Sequence, residues 1–76
     1  MEEIKNLDVV ALLVDLPELG LRRGAVGTVI EMFTATPHHP GGYIVEFVDE
    51  AGEVYAQADI TDPTQLMQLH FRQQAA

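Results

Sequence analysis

Apolar residues gather along this chain in short runs separated by glycine, proline and acidic residues, a pattern that builds strands rather than long helices. Leu7 to Val14 is almost unbroken apolar sequence of strand length, suited to a first strand covered on both sides or set in a closed barrel wall. Residues 15–24 follow, and Pro17 and Gly20 break the periodicity. They read as a long loop whose Leu16, Leu19 and Leu21 tuck back into the core. A short helix over Pro17 to Arg22 is the rival reading, although so brief a segment ending near a glycine allows at best one turn. The second strand runs from about Ala25 to Phe33. Gly24 and Gly27 open it, either by taking positive φ or by admitting a neighbouring backbone, and Val26, Val29 and Ile30 are stiff β-branched side chains suited to a buried pleated surface.

Thr34 to Gly42 carries two prolines and two glycines without periodicity and is a loop. Tyr43 to Val48 then alternates, with Tyr43, Val45 and Phe47 on one face and Ile44, Glu46 and Val48 on the other. The glutamate marks the second face as the outer one. Asp49 to Glu53, with Gly52, makes a hairpin connection. Val54 to Ile60 pairs back as the fourth strand, with Val54, Ala56 and Ala58 inward and Tyr55, Gln57 and Asp59 outward. Asp62-Pro63-Thr64 has the form of a one-turn helix start, Asp as cap and Pro in first position. Leu66 to Phe71 closes the barrel as a fifth strand, and Gln73 to Ala76 is a frayed tail.

Five short strands, a long first connection and a helical turn before the last strand make the plan of a small SH3-like barrel, an all-β fold in which closure removes exposed sheet edges. Gly24-Ala25-Val26-Gly27-Thr28-Val29 resembles the Gly-x-x-Gly-x-Val core of KOW-type barrels. A broader resemblance covers roughly residues 5–69, through Leu7 to Leu12, Asp15 to Val29 and Tyr43 to Glu53. On these motifs the chain resembles the domain of unknown function 4926 family, short bacterial proteins frequent in cyanobacteria. The resemblance implies an SH3-like β-barrel and transfers no catalytic residue. A longer loop around His38 and His39 and a glutamine-rich tail depart from the family pattern.

The 76 residues make one domain, 1–76, with an ordered core expected over about 5–71. So short a chain buries only roughly 60–65% of the surface its unfolded state exposes. With 47% hydrophobic residues it is too apolar for intrinsic disorder, and with no cysteine it has neither disulfides nor thiolate metal ligands. Stability must come from a compact apolar core, in a monomer or a weak homodimer. The opening Met-Glu-Glu-Ile-Lys-Asn lacks the basic region and apolar run of a signal peptide, and no apolar segment nears the roughly 20 residues of a membrane span. A cytoplasmic location is the expectation.

Charge narrows the partners. Twelve acidic residues against four basic ones give a formal charge of −8 and a pI near 4.4. Nucleic-acid binding draws its non-specific free energy from Lys and Arg at phosphates, and only Lys5, Arg22, Arg23 and Arg72 are present. The acids bunch at Asp49, Glu50 and Glu53 and again at Asp59 and Asp62. They serve solubility, and they also favour a basic protein partner.

Candidate chemistry is sparse. His38 and His39, with His70 far along the chain, supply imidazoles of the kind that bind Zn, Ni or Cu, but adjacent side chains in a loop rarely converge on one ion. Glu31 and Glu46 could face each other across strands two and three as an acid and base pair, although an exposed barrel wall offers no pocket. Serine and cysteine are both absent, so no Ser-His-Asp or Cys-His set exists and no catalytic residue or cofactor is expected. Arg22 and Arg23 could clamp a phosphate or carboxylate at the glycine turn, or simply relieve an acidic surface. Ile44, Val48 and Tyr55 form an outward apolar strip edged by acids.

These features favour a non-enzymatic protein-interaction module that binds through Ile44, Glu46, Val48, Asp49, Glu50, Glu53 and Tyr55, with Gly24, Gly27 and Gly52 as structural turns. An antitoxin-like partner of a basic protein is one form of this role. An accessory subunit is another, since SH3-like barrels resembling this one serve as peripheral subunits of photosynthetic assemblies. The alternatives are a KOW-like nucleic-acid or ribosome-associated module, which the charge opposes, and a small metal carrier using His38 and His39.

Overall fold

Strands form where β-branched and aromatic runs can send alternate side chains into one shared core, and connections fall at the glycine, proline and acidic breaks. The computed structural model describes residues 3–70. In chain order it holds β1 (Val9–Leu12), a 3-10 turn (Pro17–Leu19), β2 (Val26–Phe33), β3 (Gly42–Val48), β4 (Val54–Ile60), a second 3-10 turn (Pro63–Gln65) and β5 (Leu66–Gln68). The strands pair antiparallel in the order β4-β3-β2-β1-β5. This is the all-β, SH3-like arrangement that the sequence predicts, with the helical turn in place before the last strand. The expected closure is not made. The hydrogen-bonded ladder stays open, with β4 and β5 as its edges.

The core lies on the inner face of this curved sheet. Phe47, Leu12, Leu21, Val10, Val29 and Val45 are the largest fully buried side chains, and Ile60, Ala58, Leu66 and Ile4 complete the cluster. Tyr43, Val45 and Phe47 do share the inward face, although Tyr43 is half-buried. The first strand is shorter than Leu7 to Val14. Leu7 takes a φ of 73° and is exposed, donating its N–H to the Val29 carbonyl at 2.7 Å from outside the ladder. At the other end, Leu13 binds the Gln65 carbonyl at 2.8 Å as the chain leaves β1. β5 ends at Gln68: Leu69 and His70, expected to continue the strand, are irregular, and Phe71 with the tail lies outside the described residues.

The long loop is tied into a small closed unit. Leu16 and Leu21 exchange backbone hydrogen bonds at 2.9 and 3.1 Å, and Gly20 ends the intervening 3-10 turn in a left-handed conformation. Leu21 is therefore buried and Leu16 packs against the core. Leu19, expected inside, is turned out to solvent at the tip, and the rival helix to Arg22 reduces to this single turn.

Two bulges change which residues face outward. The β2–β3 register passes from Val29 opposite Val45 to Glu31 opposite Ile44, so Ile30 is the extra residue and is exposed instead of buried. Val26 is exposed too, because it pairs with Ala11 on the outer face. The β3–β4 register passes from Phe47 opposite Ala56 to Val48 opposite Val54, which leaves Tyr55 unpaired and sets Val54 beside Val48 rather than inward.

The two glycines at the start of β2 have separate jobs. Gly24 takes the turn, with φ of 95°, and its N–H binds the Leu12 carbonyl at 2.8 Å. Gly27 admits neighbours: a Cβ there would lie 2.7 Å from Val45 Cγ1 and 2.9 Å from both the Glu46 carbonyl oxygen and Phe47 Cδ1. Gly27→Ala is therefore expected to destabilise the protein by about 1–3 kcal/mol in urea denaturation, as overpacking of a filled core does.

The turn before β5 is capped as the sequence predicts. Asp62 Oδ1 accepts from the Thr64 hydroxyl at 2.6 Å and from the Thr64 N–H at 3.0 Å. The hydroxyl first, and then the N–H, hold the Asp62 carboxyl below its ordinary value of 3.8. A depressed folded-state value stabilises the protein above the ordinary value, and this contribution is lost as pH falls through the lowered one. Asp62→Ala should thus lower the melting temperature at neutral pH, and the difference from the parent should shrink steadily as the pH is taken below 3.8.

Candidate functional site

The β3–β4 hairpin concentrates most of the residues predicted to form a site. Its turn is built around Asp49, whose Oδ1 accepts from the Ala51 N–H at 2.9 Å and the Glu53 N–H at 3.0 Å. The Asp49 N–H binds the Glu53 carbonyl and the Gly52 N–H binds the Asp49 carbonyl, both at 2.9 Å, with Gly52 at φ of 82° as the turn requires. Asp49 therefore works first as a turn-forming side chain. Glu50 and Glu53 are exposed on the same turn.

The outer face of the sheet presents rows of side chains. Glu31, Ile44 and Asp59 form one row, and Thr28, Glu46 and Gln57 the next. At the hairpin end Val48, Val54 and Tyr55 are exposed by 46%, 53% and 52%. The bulge at Tyr55 assembles this apolar patch, adding Val54 to the two residues that alternation alone places there. Ile44 is half-buried and belongs to a different row, so the predicted apolar strip is a compact patch at the hairpin tip rather than a continuous line. Residues 42–60 carry five acids, Glu46, Asp49, Glu50, Glu53 and Asp59, and no Lys or Arg.

The remaining candidates are dispersed. Thr28, not Glu31, stands opposite Glu46, so the two glutamates are diagonal neighbours and not a cross-strand pair. His38 and His39 lie in a turn where the Thr36 hydroxyl accepts from their N–H groups at 3.2 and 3.0 Å. The His39 ring meets Phe33 edge-on at 5.5 Å, and its Nε2 is 3.6 Å from Asp59 Oδ2, a contact with no counterpart in the sequence pattern. His70 is exposed, and no group of three or more His, Cys, Asp or Glu side chains able to hold a metal occurs among the described residues. Arg22 and Arg23 are exposed at the turn into β2, where the Arg23 N–H donates to Asp15 Oδ1 at 2.7 Å. Lys5 is also exposed, its N–H bound to Asp8 Oδ2 at 2.8 Å, while Arg72 lies outside the described residues.

An open groove of about 630 Å³ lies away from the hairpin tip, lined by Ile4, Leu13, Met32, Tyr43, Leu66 and Met67 among others. Glu3 and Tyr43 are its titratable groups, an apolar lining with no nucleophile and base side by side. No helix among the described residues is long and apolar enough to cross a membrane.

A family model described as a domain of unknown function, DUF4926, matches residues 6–68. No curated protein and no solved structure matches the chain.

The two roles open to Asp49, turn former and surface charge, separate by substitution. Asp49→Asn keeps an acceptor oxygen and should leave stability nearly unchanged. Asp49→Ala should cost about 1 kcal/mol for the lost turn hydrogen bonds, read by thermal or urea denaturation.

Proposed function

Because the chain belongs to the DUF4926 family, whose description assigns no activity, we propose its role from its surface: a non-enzymatic protein-interaction module that engages a basic partner through the β3–β4 hairpin. One observation carries this reading. The hairpin joins an exposed Val48–Val54–Tyr55 patch to five acids without a single Lys or Arg. Apolar anchors of this kind supply affinity once desolvated, Tyr most of all, and a one-signed rim steers and selects an oppositely charged partner. Ile44 and Glu46 extend the contact along the outer face. The same surface suits an antitoxin-like protein masking a basic patch or an accessory subunit seated on a larger complex, acting in the cytoplasm.

Charge sets the order of the other readings. A KOW-like nucleic-acid module would need cations where this chain presents acids, and a metal carrier would need a third ligand near His38 and His39. The test is to tag the protein in its own host and identify what co-purifies at low and moderate salt. One stoichiometric partner, released as salt rises, is expected. Tyr55→Ala and the pair Glu50→Lys with Glu53→Lys should each weaken capture by about tenfold or more. Capture that neither change alters would overturn the hairpin assignment.

A further inference from the structure

We propose that the open edge of β4 accepts an extended segment of the partner as an additional strand, and that this segment alternates basic with small apolar residues. The proposal rests on the interaction-module reading and adds the mode of contact. β4 pairs with β3 on one side, and among the described residues no backbone hydrogen bond links it to any other strand. The first 3-10 turn lies near it without such a bond. Alternate residues of an antiparallel strand direct both N–H and C=O to the free side, so this edge is a template for pairing.

The two edges differ in what they offer. β5 has three residues, whereas β4 has seven, and the bulge at Tyr55 leaves Ala56–Ile60 in regular register. That stretch contains no Pro, Lys or Arg, residues that commonly guard edges. Its outward side chains, Gln57 and Asp59, are exposed beside Glu46, which calls for cations at every second position of an added strand. Its inward side chains are Ala56, half-buried, and Ala58 and Ile60, both buried. Small apolar groups fit between the cations there. A second copy fits poorly, because each chain carries −8 and self-pairing would bring two acidic hairpins together.

The probe is a capped peptide of about seven residues alternating lysine with valine, followed by amide hydrogen exchange in the intact protein at low salt. Exchange at alternate residues within Ala56–Ile60 should slow by about tenfold or more. N-methylation of one alternate set of peptide amides should weaken binding about tenfold while methylation of the other set leaves it unchanged, and glutamate in place of lysine should abolish it. Equal binding by both methylated peptides, or slowing confined to Asp49–Val54, would overturn the edge proposal and leave the hairpin reading standing. No binding by any peptide would also overturn it, with the host capture experiment deciding the broader reading independently.

Discussion

Gly27 has no side chain, and the inner face of the sheet is assembled in the space that this leaves. It sits in β2 with Val10 on one side and Phe47 on the other, at the point where the first and third strands meet through the second. Phe47, the largest fully buried side chain, and Val45 both lie where a Cβ on Gly27 would stand. A thin core thus reaches density by bringing an aromatic ring down onto bare backbone.

Around that contact the sheet bends by inserting single residues. Ile30 and Tyr55 each stand opposite nothing, and each shifts the following side chains relative to their partners. The first bulge brings Glu31 level with Ile44. The second brings Val54 out beside Val48, so the same irregularity that shapes the hairpin also makes its apolar tip. Fold and candidate surface are in this respect one feature.

Much of this was legible in the residues. The alternation in Tyr43–Val48 identified the inner face, the acidic glycine-bearing segment marked the hairpin, the Asp62-Pro63 pair marked the capped turn, and β4 spans the predicted Val54–Ile60. The facing of Val54 and Ile30 was not legible, because a bulge alters register without altering composition, whereas Val26 faces outward by plain alternation, three positions before the inward Val29. Leu19 turns outward although the sequence predicts it inside: a tight 3-10 turn sends one of three nearby leucines to solvent, and spacing alone does not say which. Closure of the barrel depends on how far two edge strands approach, a property of accumulated twist that no local segment encodes. At the surface, charge placement could be read directly, whereas the meeting of His39 with Asp59 joins segments twenty residues apart and had no local signal.

The same charge pattern governs which reagents can see this protein. From Gly24 to His70 there is no lysine or arginine. Trypsin therefore has no cleavage site anywhere within β2, β3, β4 or β5, and within the described residues it can cut only near Lys5 and at Arg22 and Arg23. Amine-directed cross-linkers are blind to the hairpin for the same reason. Carboxyl-directed coupling, by contrast, would mark Glu50 and Glu53, making the acidic turn the natural place from which to map whatever touches it.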